Sequence, residues 1–196
     1  MLSAIQAACA DGDGDASNDK TVALDLSATK LATSDNGVFD PRNPADGKPY
    51  ITKRVLPTAA TAIDKGAGAG SVYATFAGFT GLAEVSAAGK IDIDNYTFYG
   101  CGALTTADFR AVGSIGHAPF SSCRALIELY LPAAPPQLTV FPLPKLFDST
   151  GGSARLTIYV PDADAVTAYG DKWGQITYVY AANGNHKPVV FAVKSN

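Results

Sequence analysis

The sequence predicts an α/β solenoid, in which short parallel strands stack in repeats of about 22 residues. The first observation is that three similar segments recur: Phe76-Ala-Gly-Phe79-Thr-Gly-Leu82, Phe98-Tyr-Gly-Cys101-Gly-Ala-Leu104 and Phe120-Ser-Ser-Cys123-Arg-Ala-Leu126. The second is that the Phe that begins a segment and the Leu that ends it each lie 22 residues after the same residue of the preceding segment. Because one such unit cannot bury its apolar side chains alone, consecutive units must stack on one another.

Each segment is followed by a short alternating stretch that predicts a strand. A period in the twenties with an L-x-x-L-x-L core is the signature of a leucine-rich repeat. Because side chains alternate between the two faces of a strand, the inward and outward positions can be assigned. The expected inward set is Leu82, Val85, Ala87, Leu104, Ala107, Phe109, Leu126, Leu129 and Leu131. The expected outward set is Glu84, Ser86, Thr106, Asp108, Glu128, Tyr130, Thr157 and Tyr159.

The whole chain, residues 1–196, is expected to form one leucine-rich repeat domain with a cap at each end. Two stretches interrupt the repeats and read as loop insertions, because one is crowded with Pro, Asp and Gly and the other alternates Gly with Ala. The expected parts are an N-terminal helical cap over 1–21, repeats over 22–161 with insertions at 40–49 and 64–70, and a C-terminal cap over 162–196.

The C-terminal cap is predicted to be a helix followed by a hairpin. Asp162 or Asp164 can cap a helix that runs to Trp173. Two alternating stretches then flank Asn183-Gly184, a strong hairpin signal. Between the repeats and this cap, prolines crowd residues 132–147 and exclude a central strand or a helix there.

Composition excludes several classes of partner. The chain is 47% hydrophobic with a net charge of −3 and a sequence pI near 5.2, so no nucleic-acid partner is expected. No apolar run approaches the roughly 20 residues of a transmembrane helix. The first ten residues have no Lys or Arg ahead of a short apolar stretch. They predict an amphipathic helix, and no export signal is expected in this sequence.

Cys101 and Cys123 occupy the same slot in consecutive repeats, so their side chains are expected to lie one rung apart. A disulfide between them is geometrically conceivable, and stacked thiols that pack as small apolar groups are the alternative. No zinc site is expected, because no C-x-x-C occurs and the two histidines lack ligand spacing.

The unit I-x-x-x-x-F-x-x-C-x-x-L-x-x-L-x-L occurs over Ile93–Leu104 and Ile115–Leu126 with the strands that follow them. It resembles the BspA-like leucine-rich repeat family of bacterial surface proteins. The ending Leu156-Thr-Ile-Tyr-Val-Pro161 also looks like that family's C-terminal unit. The chain departs from the pattern where Phe79 replaces the cysteine and where insertions lengthen the early repeats.

That resemblance implies an exported protein at the bacterial cell surface. It implies a non-catalytic adhesion module whose partner is a host or bacterial surface protein or a glycan. The expected recognition surface is either the sheet face of the repeats or the loop insertions at 40–49 and 64–70. A structural spacer within a larger surface protein, with no ligand of its own, is the alternative. No enzyme is expected, because the sequence carries no nucleophile-elbow, phosphate-loop or metal-ligand motif.

The candidate binding residues lie on the outward face, where the two tyrosines should be neighbours because both precede the last residue of a strand and a proline. Aromatic side chains anchor many interfaces, so an exposed tyrosine pair among polar residues could bind a protein or a glycan. An ordinary cross-strand aromatic pair is the alternative. The candidate set is Tyr130, Tyr159, Glu128, Asp108 and Thr157.

An acidic loop near the N-terminus raises a third hypothesis, a calcium-dependent glycan binder. Its alternating carboxylates are typical of a calcium loop, but the Gly and Glu that an EF-hand needs are replaced by Ala16 and Val22. A looser calcium site remains open beside a solvated turn. That site would use Asp11, Asp13, Asp15 and Asp19.

Overall fold

The computed structural model describes residues 2–9, 20–25, 51–56, 76–87, 89–139, 155–173, 178–180 and 186–194. The predicted insertions at 40–49 and 64–70 and the acidic loop Asp11–Asp19 lie outside these residues. The described helices are α1 (Leu2–Cys9) and α2 (Ala163–Trp173). The described strands are β1 (Val22–Asp25), β2 (Ile51–Leu56), β3 (Glu84–Ala87), β4 (Ile91–Ile93), β5 (Thr106–Asp108), β6 (Val112–Ile115), β7 (Glu128–Tyr130), β8 (Gln137–Leu138), β9 (Leu156–Val160), β10 (Tyr178–Tyr180) and β11 (His186–Val193).

The main sheet has eight strands in the order β1-β2-β3-β5-β7-β9-β11-β10. Every neighbouring pair is parallel except β10 and β11, which are antiparallel. Glu84 pairs with Thr106 and Thr106 with Glu128, so each of these steps spans the 22 residues of the sequence period. The prediction of short parallel strands with few helices is therefore confirmed.

A second sheet of three short parallel strands, in the order β4-β6-β8, was not predicted from the sequence. Ile91 pairs with Val112, and Ile93 pairs with Ile115. The two-residue strand β8 lies at the edge and follows Pro135 and Pro136 directly. An edge position tolerates a strand flanked by prolines, and over the described residues 132–139 no central strand and no helix forms, whereas 140–147 lie outside the described residues.

The core between the strands is built on the recurring phenylalanines. Phe98 stacks on Phe76 and on Phe120, with 5.6 Å between ring centroids in both cases. Phe109 lies 5.5 Å from Phe98 and closes the cluster. All nine predicted inward residues are buried, so the inward assignment is confirmed: Leu82, Val85, Ala87, Leu104, Ala107, Phe109, Leu126, Leu129 and Leu131.

Cys101 and Cys123 are free, fully buried thiols. They do more than pack as small apolar groups. The Cys101 Sγ donates to the carbonyl oxygen of Phe76 at 3.2 Å, and the Cys123 Sγ donates to that of Phe98 at 3.1 Å. Each thiol therefore ties its own segment to the one before it through the carbonyl oxygen of the recurring phenylalanine, and the Phe98 oxygen also accepts from the Cys101 backbone N–H at 3.2 Å.

The turn after each phenylalanine requires a left-handed backbone conformation. Gly78 and Gly100 have φ values of 75° and 74° there, and Ser122 occupies the equivalent third position with φ 63°. A residue with a Cβ is strained by about 1–2 kcal/mol in this region, whereas glycine adopts it freely. The third turn therefore keeps strain that the first two avoid.

Replacing Ser122 by glycine is expected to raise the free energy of unfolding by about 0.5 kcal/mol. Relief of the left-handed strain outweighs the extra conformational entropy that glycine gives the unfolded chain. Chemical denaturation measures the change, and Gly100→Ser is the matched reverse substitution, which should destabilise. A Ser122→Gly variant less stable than the parent protein would contradict this account of the turn.

The C-terminal segment begins with the predicted helix. Asp162 is its N-cap, because the backbone N–H of Ala165 donates to the Asp162 Oδ1 at 2.7 Å. Tyr169 and Trp173 are buried on one face, and the Tyr169 hydroxyl donates to the carbonyl oxygen of Pro132 at 3.0 Å. The predicted helix is therefore present, and the antiparallel strand pair β10 and β11 follows it, while the predicted turn at Asn183-Gly184 lies outside the described residues.

The antiparallel pair β10 and β11 extends the main sheet. Its strand β11 pairs in parallel with β9, with Val189 opposite Leu156 and Val193 opposite Val160. The main sheet therefore continues into the hairpin, and β10 forms the antiparallel outer strand. Because Lys194 directly follows β11, this pairing brings it to the end of β9, where its N–H donates to the Val160 carbonyl oxygen at 3.0 Å.

Within the described ranges, no helix combines the length and the apolar character that crossing a bilayer requires.

Candidate functional site

The structure brings the five predicted binding residues together on three adjacent strands of the main sheet. The register places Asp108 of β5 opposite Tyr130 of β7, and Tyr130 opposite Tyr159 of β9. Glu128 pairs with Thr157 one row earlier along the strands. The two tyrosine rings stack with centroids 5.0 Å apart and an angle of 26° between planes. The prediction that they are neighbours is confirmed.

One part of the prediction is wrong, because Tyr130 is not exposed. Only 7% of its surface is accessible, whereas Tyr159 is half-buried. In addition to the stacked ring of Tyr159, two cationic side chains lie over the ring of Tyr130. The Arg110 Cζ lies 5.0 Å from the centroid of the Tyr130 ring, and the Lys194 Nζ lies 4.8 Å from it. The accessible aromatic surface of the pair therefore belongs to Tyr159.

The Tyr130 hydroxyl is hydrogen-bonded on both sides. It donates to the Glu128 Oε2 at 3.0 Å and accepts from the Lys194 Nζ. Burial raises the pKa of Tyr130, the Lys194 hydrogen bond opposes that shift, and Glu128 adds to it. The phenol is therefore neutral at physiological pH and can both donate and accept.

Lys194 remains a cation over the same pH range. Its hydrogen bond to the Tyr130 hydroxyl raises the pKa of the Lys194 ammonium above its ordinary value, and nearby Glu128 acts in the same direction. The Nζ also lies 4.7 Å from the centroid of the Tyr159 ring. One ammonium group therefore contacts both members of the tyrosine pair, in the arrangement of a cation–π interaction.

The acidic side chains of this face lie within the strands, and the basic ones follow the strand ends. Asp108 and Glu128 belong to β5 and β7, whereas Arg110 and Lys194 lie just beyond the ends of β5 and β11. The Arg110 Nε lies 3.4 Å from the Asp108 Oδ1, in a half-exposed ion pair of small energetic weight. We call the group Asp108, Arg110, Glu128, Tyr130, Tyr159 and Lys194 the tyrosine cluster.

Sequence reasoning missed two members of the tyrosine cluster, Arg110 and Lys194. The strand alternation that assigned Asp108 outward could have found Arg110, since it lies two residues further on. No local signal could have found Lys194, because it lies 64 residues from Tyr130 in the sequence. Its position depends on the pairing of β11 with β9.

A second group of aromatic side chains lies on the turns next to Phe98 and Phe120. The Tyr96 ring contacts those of Tyr99 and His117 edge to face, with centroids 6.1 and 5.2 Å away. The His117 N–H donates to the Asn95 Oδ1 at 2.6 Å, so two successive turns are tied together here. Tyr99 is 37% exposed and, being outside the main sheet, is a suitable control position.

An open groove lies between residues 133–135 and helix α2. Asp162, Asp164 and Asp171 line it together with small apolar side chains and Lys172. Asp162 caps α2 and Asp164 lies in its first turn, where carboxylates favour the helix dipole. The two carboxylates at the start of α2 are therefore explained by helix capping.

In the part of the chain that the structure describes, no three His, Cys, Asp or Glu side chains are grouped so that they could hold a metal ion. The candidate calcium residues, Asp11 to Asp19, lie outside that part. The calcium hypothesis stays a prediction.

Comparisons of the chain with protein-family profiles, with curated proteins and with solved structures give no match. Function is therefore inferred from the chemistry of the main sheet. A stacked tyrosine pair with two cations and two carboxylates can take part in binding through ring stacking, ionic contacts and hydrogen bonds.

Proposed function

We propose that this chain is a non-catalytic binding module that recognises a protein or a glycan through the outward face of its main sheet. More particularly, we propose a leucine-rich repeat solenoid of the BspA-like kind, exported to the bacterial cell surface. The observation that carries the proposal is the tyrosine cluster, in which Tyr159 stays accessible beside two cations.

The solenoid proposal is supported by how the sequence period and the strand pairing agree. Parallel strands pair at the same 22-residue offset that separates the recurring phenylalanines, and those phenylalanines stack ring on ring. The thiol of each segment's cysteine donates to the segment before it. Equivalent contacts at equivalent positions are what stacked repeats make.

A binding role is supported by the rigidity of this face. Tyr159 lies between two hydrogen-bonded strands and is held by its stack on Tyr130 and by the Lys194 ammonium. A side chain that is already ordered loses little entropy when a ligand covers it, so more of its contact energy appears as affinity. Tyrosine is also enriched among the residues that dominate interface energetics.

The alternative, a structural spacer with no ligand, has its own supporting observation. Tyr130 is 7% exposed, and its hydroxyl already exchanges hydrogen bonds with Glu128 and Lys194. A face whose polar groups satisfy each other needs no partner. The two functions therefore differ in whether Tyr159, the accessible ring, contributes to an interaction outside the chain.

The test is a binding screen of the purified protein against arrayed matrix proteins and glycans, followed by variants. We expect Tyr159→Ala to weaken a saturable interaction by roughly 30-fold or more, the effect of losing a hot-spot aromatic residue. Tyr99→Ala removes an exposed tyrosine from the turns and should leave the affinity unchanged.

Both variants need circular dichroism and thermal melting before their affinities are compared, so that unfolding is not mistaken for lost contacts. A folded protein that binds nothing in the screen would favour the spacer. Equal losses in Tyr159→Ala and Tyr99→Ala would locate the binding surface elsewhere and contradict the assignment to the main sheet.

A further inference from the structure

We propose that the tyrosine cluster recognises an acidic polysaccharide, with a sugar carboxylate held by Lys194 and Arg110 and the sugar ring lying against Tyr159. This inference rests on the proposed binding function and names the class of ligand. It follows from three features: two cations that converge on one aromatic pair, a small residue, Ala192, opposite Tyr159, and a position in the interior of the sheet.

The cations converge from different parts of the chain. The Arg110 Cζ and the Lys194 Nζ lie 5.0 and 4.8 Å from the centroid of the same Tyr130 ring. The Lys194 ammonium has three N–H donors and, among the described residues, gives one of them to the Tyr130 hydroxyl. Its side chain is exposed, so the other donors face solvent and can reach a ligand oxygen.

The nearby carboxylates do not close this site to an anion. Glu128 accepts a hydrogen bond from the Tyr130 hydroxyl, and Asp108 forms an ion pair with the Arg110 Nε, so both carboxylates already have a partner within the cluster. Glu128 begins β7 and Asp108 ends β5, whereas the two cations lie beyond the strand ends. An anion approaching from the strand ends therefore meets positive charge first, although the chain as a whole carries a net charge of −3.

The residue directly opposite Tyr159 on β11 is small. One side of Tyr159 stacks on Tyr130, and on its other side the register of β11 places Ala192. Ala192 is half-buried and has only a methyl side chain, so the long side chain that reaches the Tyr159 ring from this part of the chain is that of Lys194. Aromatic rings present a negative face to the C–H groups of a sugar, and the adjacent ammonium lies 4.7 Å from the same ring centroid.

A polysaccharide fits this location better than an acidic peptide. Peptides that bind β-sheets commonly add a strand to a free edge and form main-chain hydrogen bonds. Tyr130 and Tyr159 lie on interior strands whose backbones are paired on both sides, β7 with β5 and β9, and β9 with β7 and β11. The ligand must therefore be recognised through rings and charged groups alone, as a uronic acid polymer can be.

The experiment uses polygalacturonate, which carries one carboxylate on each sugar ring, and the same polymer with its carboxyl groups reduced to alcohols. We expect the parent protein to bind polygalacturonate at least roughly tenfold more tightly than the reduced polymer, because charged hydrogen bonds are lost. Lys194→Gln should lower the affinity for polygalacturonate by a similar factor. Lys194→Arg should retain most of it.

Controls separate specific recognition from general charge attraction. Lys172→Gln removes an exposed lysine from helix α2, on the groove side, and should not change the affinity. Dextran sulfate tests whether any polyanion suffices. Binding of dextran sulfate that persists in Lys194→Gln, or equal binding of the reduced and acidic polymers, would overturn the inference.

The outcomes also distinguish this inference from the broader function. If the protein binds another partner through Tyr159 but binds polygalacturonate no better than the reduced polymer, the acidic-sugar inference fails and the binding module stands. If the folded protein binds neither polymer and no arrayed protein or glycan, both fail. Thermal melting of each variant confirms that a lost affinity is not a lost fold.

Discussion

Replacing Phe98 by alanine is expected to lower the free energy of unfolding by about 3–5 kcal/mol. Phe98 is fully buried and contacts three other rings, those of Phe76, Phe109 and Phe120, at centroid distances of 5.5 to 5.6 Å. Alanine would remove the central ring of the stack and leave a cavity between Phe76 and Phe120. Since a domain has only about 5–15 kcal/mol of total stability, chemical denaturation should show a severely weakened protein.

Two variants show whether the loss comes from the stack. Tyr99→Ala changes the adjacent residue, whose side chain is 37% exposed, and should cost less than about 1 kcal/mol. Phe98→Leu keeps most of the buried volume and should fall between the two alanine variants. If Phe98→Ala costs no more than Tyr99→Ala, the stacked rings do not form the core that this account gives them.

The same stack explains why much of the fold could be predicted from the sequence. Phe76, Phe98 and Phe120 are all buried and recur every 22 residues, so inward and outward positions could be assigned in the strand that follows each one. The long helix α2 was equally visible, because Asp162 caps it and its apolar residues share one face. These features are encoded locally.

The second sheet could not be predicted, because its strands carry almost no local signal. Strand β4 has three residues and β8 has two. In β6 the buried residues, Val112 and Ile115, are three apart, so the period-two pattern is broken. These strands form because stacking brings successive chain segments side by side, and that stacking is a tertiary effect.

The candidate site likewise has one feature that the sequence predicts and one that depends on tertiary contacts. That Tyr130 and Tyr159 are neighbours could be predicted, because both precede the last residue of a strand and a proline. The burial of Tyr130 could not, because it depends on Lys194, a residue 64 positions away that only the pairing of β11 with β9 brings near. Strand alternation predicts on which face of the sheet a side chain lies. It does not predict which residues from distant parts of the sequence pack over that face.

Gly116→Ala is expected to destabilise the protein by about 1–3 kcal/mol, the cost of overpacking a close contact. A Cβ on Gly116 would lie 2.6 Å from the backbone nitrogen of Asn95 and 2.7 Å from the carbonyl carbon of Asp94. These are main-chain atoms of the preceding turn, so no side-chain rotation can relieve the overlap. The Gly116 N–H also donates to the Ile93 carbonyl oxygen at 2.7 Å, which fixes the two chain segments at this separation.

The matched control is Gly102→Ala, since a Cβ at Gly102 would meet no atom within 4 Å. That variant should lie within about 0.5 kcal/mol of the parent protein, because it changes an exposed turn position. Denaturant titration of both variants, compared at equal slope, measures the difference. If Gly116→Ala proves as stable as Gly102→Ala, the turns at 94–95 and 116–117 are not packed as closely as the structure places them. If instead the loss appears only at Gly116, close backbone contact between successive turns is what holds this side of the protein together.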